Sequence, residues 1–178
     1  MLNMTASTIW TIGHSTRTIE YFLDLLRTND IQAIADVRSY PGSRRYPHFN
    51  VDALRESLIG RGVEYVQFKK LGGRRRGSAD SPHTVWRSSA FRAYADHMET
   101  AEFREGIEEL LELARRQRTA IMCAEAVWWR CHRSMIADYL KALGVTVEHI
   151  MGGKQNLIHP FTAAARIING ELTYGAAD

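Results

Sequence analysis

The sequence has little of what would place it at a glance. Its 178 residues hold two cysteines and four prolines. The cysteines, Cys123 and Cys131, are separated by seven residues, and there is no Cys-x-x-Cys pair and no His-x-x-x-His spacing. A zinc motif is therefore missing and no metal is expected. Two thiols are too few for a secreted disulfide scaffold. No apolar run approaches the roughly 18 residues a membrane helix needs, and the first residues lack the apolar core of a signal peptide. The expectation is a cytoplasmic protein with no membrane association, whose thiols are free or serve chemistry. There is no internal repeat, no linker, no low-complexity tract and no clear cofactor motif.

Net charge is also small, +3 from 23 basic and 20 acidic residues. Its arrangement is not. Residues 38–92 carry 12 basic and 4 acidic side chains, while both flanks are net acidic. A concentrated positive field attracts anions, so the partners to consider are an anionic small molecule or a nucleic acid. An arginine-rich solvated surface explains the same excess. An apolar fraction of 45% and a charged fraction of 24% fit an ordinary folded domain and exclude a disordered chain.

Apolar runs bounded by glycine and polar clusters predict strands at 9–12, 31–37, 63–68, 119–123 and 145–150. Helical spacing predicts helices near 19–26, 51–59, 89–98, 101–116 and 134–143, with a last short helix at 160–168. Thr18 is the expected cap of the first. Strand and helix alternate, so the expected fold is a single α/β domain of Rossmann-like, three-layer form: a largely parallel five-stranded sheet with helices on both faces. Residues 1–8 read as an extended or disordered start, 9–168 as the domain and 169–178 as a tail.

In such sheets ligands bind beyond the C-terminal strand ends. The unusual residues fall there. His14 and Ser15 follow the first strand, and Asp36 and Arg38 close the second, with Ser43 in the loop beyond. Gly72, Gly73 and Arg74 come soon after the third strand. Cys123 and Glu125 end the fourth, ahead of Cys131, His132 and Arg133 at the next helix start, and His149 ends the fifth.

Taken together, Gly13-His14-Ser15, Asp36-Val37-Arg38, Pro41 with Ser43, Leu71-Gly72-Gly73, Phe91 to Asp96, Met122 to Glu125 and Cys131-His132-Arg133 resemble the domain-of-unknown-function family 488. The likeness spans about residues 9 to 167. It implies no established reaction, so function is argued from the residues.

The leading expectation is an enzyme, hydrolase or transferase, acting on a phosphate-bearing or nucleotide-like substrate at the strand ends. Glu125 would be base or nucleophile, assisted by Asp36 or His14, since paired carboxylates suit acid–base work. Ser15, Arg38, Ser43, Gly72, Gly73, Arg74, Cys131, His132 and Arg133 would bind substrate. One alternative is a non-catalytic nucleic-acid or anion-binding module. Another is thiol-dependent group transfer through Cys123, the remaining catalytic candidate. An oxyanion cradle over residues 124–129 would have to be built without glycine, which ranks a phosphatase-like loop lower. Glu125 paired with Arg38 or Arg133, Cys123 packed as a small hydrophobe and His149 as a core group are the structural readings of the same residues.

Overall fold

A computed structural model describes residues 8–175. In chain order the elements are β1 (Thr8–Gly13), α1 (Ile19–Thr28), β2 (Ala33–Asp36), α2 (Val51–Ile59), β3 (Glu64–Gln67), α3 (Ser89–His97), α4 (Ala101–Arg116), β4 (Thr119–Cys123), α5 (Arg133–Ala142), β5 (Thr146–Ile150), β6 (Leu157–Ile158), β7 (Arg166–Ile168) and β8 (Glu171–Thr173). The first six strands make one sheet in the order β3-β2-β4-β1-β5-β6. β1 to β5 run parallel, and β6 pairs antiparallel with the end of β5.

Alternating side chains of the strands feed two cores. Ala120 and Met122 of β4 pack with Phe22, Leu26, Leu54 and Leu58 from α1 and α2. Ile121 and Cys123 pack with Tyr94, Phe103, Ile107, Ile136 and Leu140 from α3, α4 and α5. Helices therefore cover both faces, in the expected α/β arrangement. Three helices start on side-chain caps, with Thr18, Ser88 and Thr100 accepting N–H bonds from α1, α3 and α4. Among the described residues no helix is long and apolar enough to cross a membrane.

The C-terminal part departs from expectation. The sheet has six strands instead of five, and the helix expected over 160–168 is absent. Three consecutive alanines favour helix there, but the backbone is pulled elsewhere. The His159 N–H donates to the Val147 carbonyl, which extends pairing with β5. The Thr162 N–H and hydroxyl both donate to Asp138 on α5. The chain then turns back as a β7–β8 hairpin over Asn169-Gly170, both at positive φ (52° and 81°). That pair is the strongest short hairpin signal and could have been read from sequence. Tyr174 is buried in the core with its hydroxyl on Asp138. The packed fold thus runs past residue 168 into the segment expected as tail. Residues 1–7 of the expected N-terminal start, and residues 176–178, lie outside the described residues.

Candidate functional site: a dithiol at a strand-end cleft

β4 ends at Cys123, and α5 begins at Arg133. The connection makes a short 3-10 turn at Trp128–Arg130. Trp128 is buried and stacks on His149 of β5, with ring centroids 4.6 Å apart and planes 2° from parallel. This anchor folds the connection back on itself and returns Cys131 to Cys123. Their Sγ atoms lie 2.8 Å apart, and both thiols are free.

Cys131 sits just ahead of α5, where backbone N–H groups lack helical partners. Its Sγ accepts the Arg133 N–H at 3.3 Å. His132 is half-buried and tilted against Tyr94. Its Nε2–H donates to the Val37 carbonyl at 2.9 Å, which leaves Nδ1 without a proton in the neutral ring. That Nδ1 lies 3.4 Å from the Cys131 Sγ. Gly73 passes so close that a Cβ there would sit 2.5 Å from the same nitrogen, so a side chain at 73 would displace the imidazole.

Arg133 is fully buried. Its guanidinium donates to the Thr11 hydroxyl and the Glu125 carbonyl, while Nε has no partner. None of the ion pairs among the described residues involves Arg133. A buried cation without a nearby anion is costly, and a thiolate beside it lowers that cost. The two thiols diverge accordingly. Burial pushes the Cys131 thiol up, but the Cys123 S–H, the Arg133 charge and the Arg133 N–H outweigh it and bring it down to about 7. Cys123 is pushed well up, by burial first and then by the Cys131 sulfur. The thiolate character belongs to Cys131, where the sequence pointed to Cys123.

Both cysteines line a cleft of about 420 Å³ with Tyr40, Arg74, Glu125, Arg130 and His132 among its walls. A second hollow of about 290 Å³ adjoins it across Arg38, Tyr40 and Ala124, and His14, Ser15 and Ser43 line that one. The strand-end residues are thus gathered, though not in the expected roles. Strands β2 and β4 are neighbours, as a pair of Asp36 and Glu125 requires. Yet Asp36 is fully buried, spanned by the Arg38 guanidinium and hydrogen-bonded by the Tyr65 hydroxyl. Arg38 spends its remaining donors on the Phe49 carbonyl and His14 Nε2. Asp36 and Arg38 therefore hold each other, whereas Glu125 is exposed and lines the cleft.

His14 donates from Nδ1 to the Ser15 carbonyl and stacks on Phe49. Burial lowers it to about 4, so it stays neutral near pH 7. Ser15 adopts a positive φ of 47° at the turn after β1. The Ser43 hydroxyl accepts the Tyr46 N–H and its own N–H meets Asn50, so it shapes its loop. Gly72 packs against Ser39. The three consecutive arginines part ways. Arg74 lies over the Tyr40 ring in the cleft, whereas Arg75 is tied to the Lys69, Lys70 and Gly72 carbonyls. Arg76 is exposed outside the cleft. His149 is buried between Thr11 and His159. Tyr40, Arg130 and Phe91 complete the cleft and were absent from the expected binding set.

A family model described as domain of unknown function DUF488 matches residues 18–140, and the chain belongs to that family. The match includes both cysteines, His132 and Arg133, and begins after Gly13-His14-Ser15. No curated protein and no solved structure matches the chain.

Proposed function

We propose that this DUF488 protein is an enzyme of thiol-dependent group transfer acting on a phosphate-bearing substrate in the strand-end cleft. The observation that carries the reading is the placement of a thiolate-prone Cys131 on the wall of the same cleft that Arg74 and Arg130 line. These two arginines would hold the phosphate, and the buried Arg133 would steady the thiolate from behind. His132 Nδ1 is placed to take the Cys131 proton when the thiol form enters. The thiolate would then attack the electrophilic centre, forming one bond from sulfur as the bond to the leaving oxygen breaks. That oxygen takes its proton from water. Glu125 at the mouth would then act as base toward a water or alcohol that attacks the sulfur-bound group, and the bond to Cys131 breaks as its thiolate returns. Glu125 is thereby moved from nucleophile to general base, because a carboxylate is a weaker nucleophile than a thiolate.

Pyrophosphate is a suitable probe. It should slow alkylation of Cys131 by iodoacetamide in the wild type at least several-fold. Protection should vanish when Arg74 and Arg130 are both replaced by alanine. Alkylation of Cys131 that ignores pyrophosphate at millimolar concentration sinks the anion-binding half of the reading. With chromogenic aryl phosphates, turnover lost in Glu125→Gln but kept in Cys131→Ser would return the nucleophile to the carboxylate.

A further inference from the structure

We infer that Cys123 and Cys131 form a redox-active dithiol that reduces a small disulfide admitted by the cleft and closes a disulfide of its own. The inference shares Cys131 with the proposed function, but needs neither the phosphate nor the arginines of the cleft.

Three features of the geometry support it. The Sγ atoms are already 2.8 Å apart, so closing a bond between them asks for little chain movement. The two thiols are inequivalent in the way that exchange chemistry uses. Cys131 stands at a helix N-terminus, with a backbone N–H and a histidine nitrogen on its sulfur. Cys123 lies at the end of a central strand and turns toward the helix-covered core. Among the described residues, its sulfur has the Glu125 carbonyl, at 3.8 Å, as its hydrogen-bond partner besides Cys131. Finally, both thiols, though nearly buried, line the wall of the open cleft, so the cleft is the side from which a reagent approaches the pair. A purely packed cysteine pair would need neither the helix end nor the opening.

The exchange balances as follows. The Cys131 thiolate attacks one sulfur of R–S–S–R, forming a mixed disulfide as the R–S bond to the other sulfur breaks and one thiolate leaves. Cys123 then attacks the Cys131 sulfur. The second R–S group leaves, carrying the Cys123 proton, and the Cys123–Cys131 bond closes. Two electrons pass from the protein dithiol to the small disulfide, and the first thiolate takes a proton from water. The lowered Cys131 thiol supports the order of attack, since the leading thiol is the better ionised one.

The test treats the reduced full-length protein with hydroxyethyl disulfide near pH 7.5 and follows intact mass and peptide maps. The wild type should pass through a transient mixed disulfide and end as an intramolecular Cys123–Cys131 disulfide, reversible with dithiothreitol. Cys123→Ser should stop at a stable mixed disulfide on Cys131. Replacing Arg74 and Arg130 by alanine should change neither result, which separates this inference from the phosphate reading. A wild type that accumulates only the mixed disulfide, or that does not react while a small free thiol does, overturns the inference.

Discussion

The two halves of α5 carry two buried polar clusters that differ in how completely they are satisfied. Toward the middle of the helix, Asp138 accepts bonds from the His159 ring, the Thr162 N–H and hydroxyl and the Tyr174 hydroxyl. His159 in turn receives His149, and His149 receives Thr11. Every group in that chain has a partner, and Asp138, His149 and His159 are buried. At the N-terminal end, Arg133 reaches the same Thr11 but leaves Nε unpaired, and the neighbouring sulfurs have only weak bonds. That end lies just behind the wall of the strand-end cleft. The saturated cluster fixes the C-terminal segment to the sheet, and the unsaturated one is where the proposed chemistry sits.

The comparison breaks most visibly at its saturated end. Asp138→Ala strands a histidine, a threonine and a tyrosine, and should cost about 3–5 kcal/mol. Urea denaturation checks this, and a loss under about 1 kcal/mol would mean that the cluster does not hold the segment. The mid-slope of Cys131 alkylation against pH should stay where it was, provided the variant folds.

The two ends should also respond to opposite sides of neutrality. Cys131 is lowered from an ordinary 9 to about 7, so its unfolded thiol binds more proton between those values. Stability from this group is therefore full above about pH 9 and is lost as pH falls through 7. The stability difference between wild type and Cys131→Ser should grow as pH rises from 7 to 9. His149 is held neutral, first by burial and then by His159 and Arg133, and its value is strongly lowered. His14, beside the second hollow and outside both clusters, adds to the same acid limb, being lowered to about 4. Their contribution is full above about pH 6.5 and declines as pH falls below it. Denaturation midpoints across pH 4–9 would show both limbs. A flat alkaline limb would remove the thiolate from the account.

A smaller effect sharpens the contrast. Tyr174→Phe removes one bond to a charged acceptor that keeps three others, for about 2 kcal/mol. Thermal unfolding should fall, while disulfide closure of the Cys123–Cys131 pair stays unchanged. Loss of closure in this variant would show that the two clusters are one functional unit.

Much of this architecture was legible from sequence. β1 to β5 are apolar runs between glycines and polar clusters, and α4 presents Phe103, Ile107, Leu110 and Leu111 on one face. The 160–168 segment was misread because three alanines carry local helix preference, while Asp138 and Val147 act from far away in the chain. Convergence of residues on the strand ends was legible too, since it follows from topology. Their roles were not. Asp36 looks like a catalytic acid until Tyr65 arrives from β3 to complete its bonds with Arg38. The cysteines look unrelated until Trp128 stacks on His149 and folds the intervening loop. In each case a third element decides the role.

The central claim is that Cys131 is a cleft thiolate near neutral pH. The most direct measurement is the rate of Cys131 alkylation by iodoacetamide as a function of pH, read by peptide mass in the wild type and in Cys123→Ala. A Cys131 thiolate in the cleft predicts a wild-type midpoint near 7 and an upward shift in Cys123→Ala, where the S–H donor to the Cys131 sulfur is removed. A wild-type midpoint at an ordinary thiol value near 8.5–9, with Cys123 labelled as fast as Cys131, would contradict it.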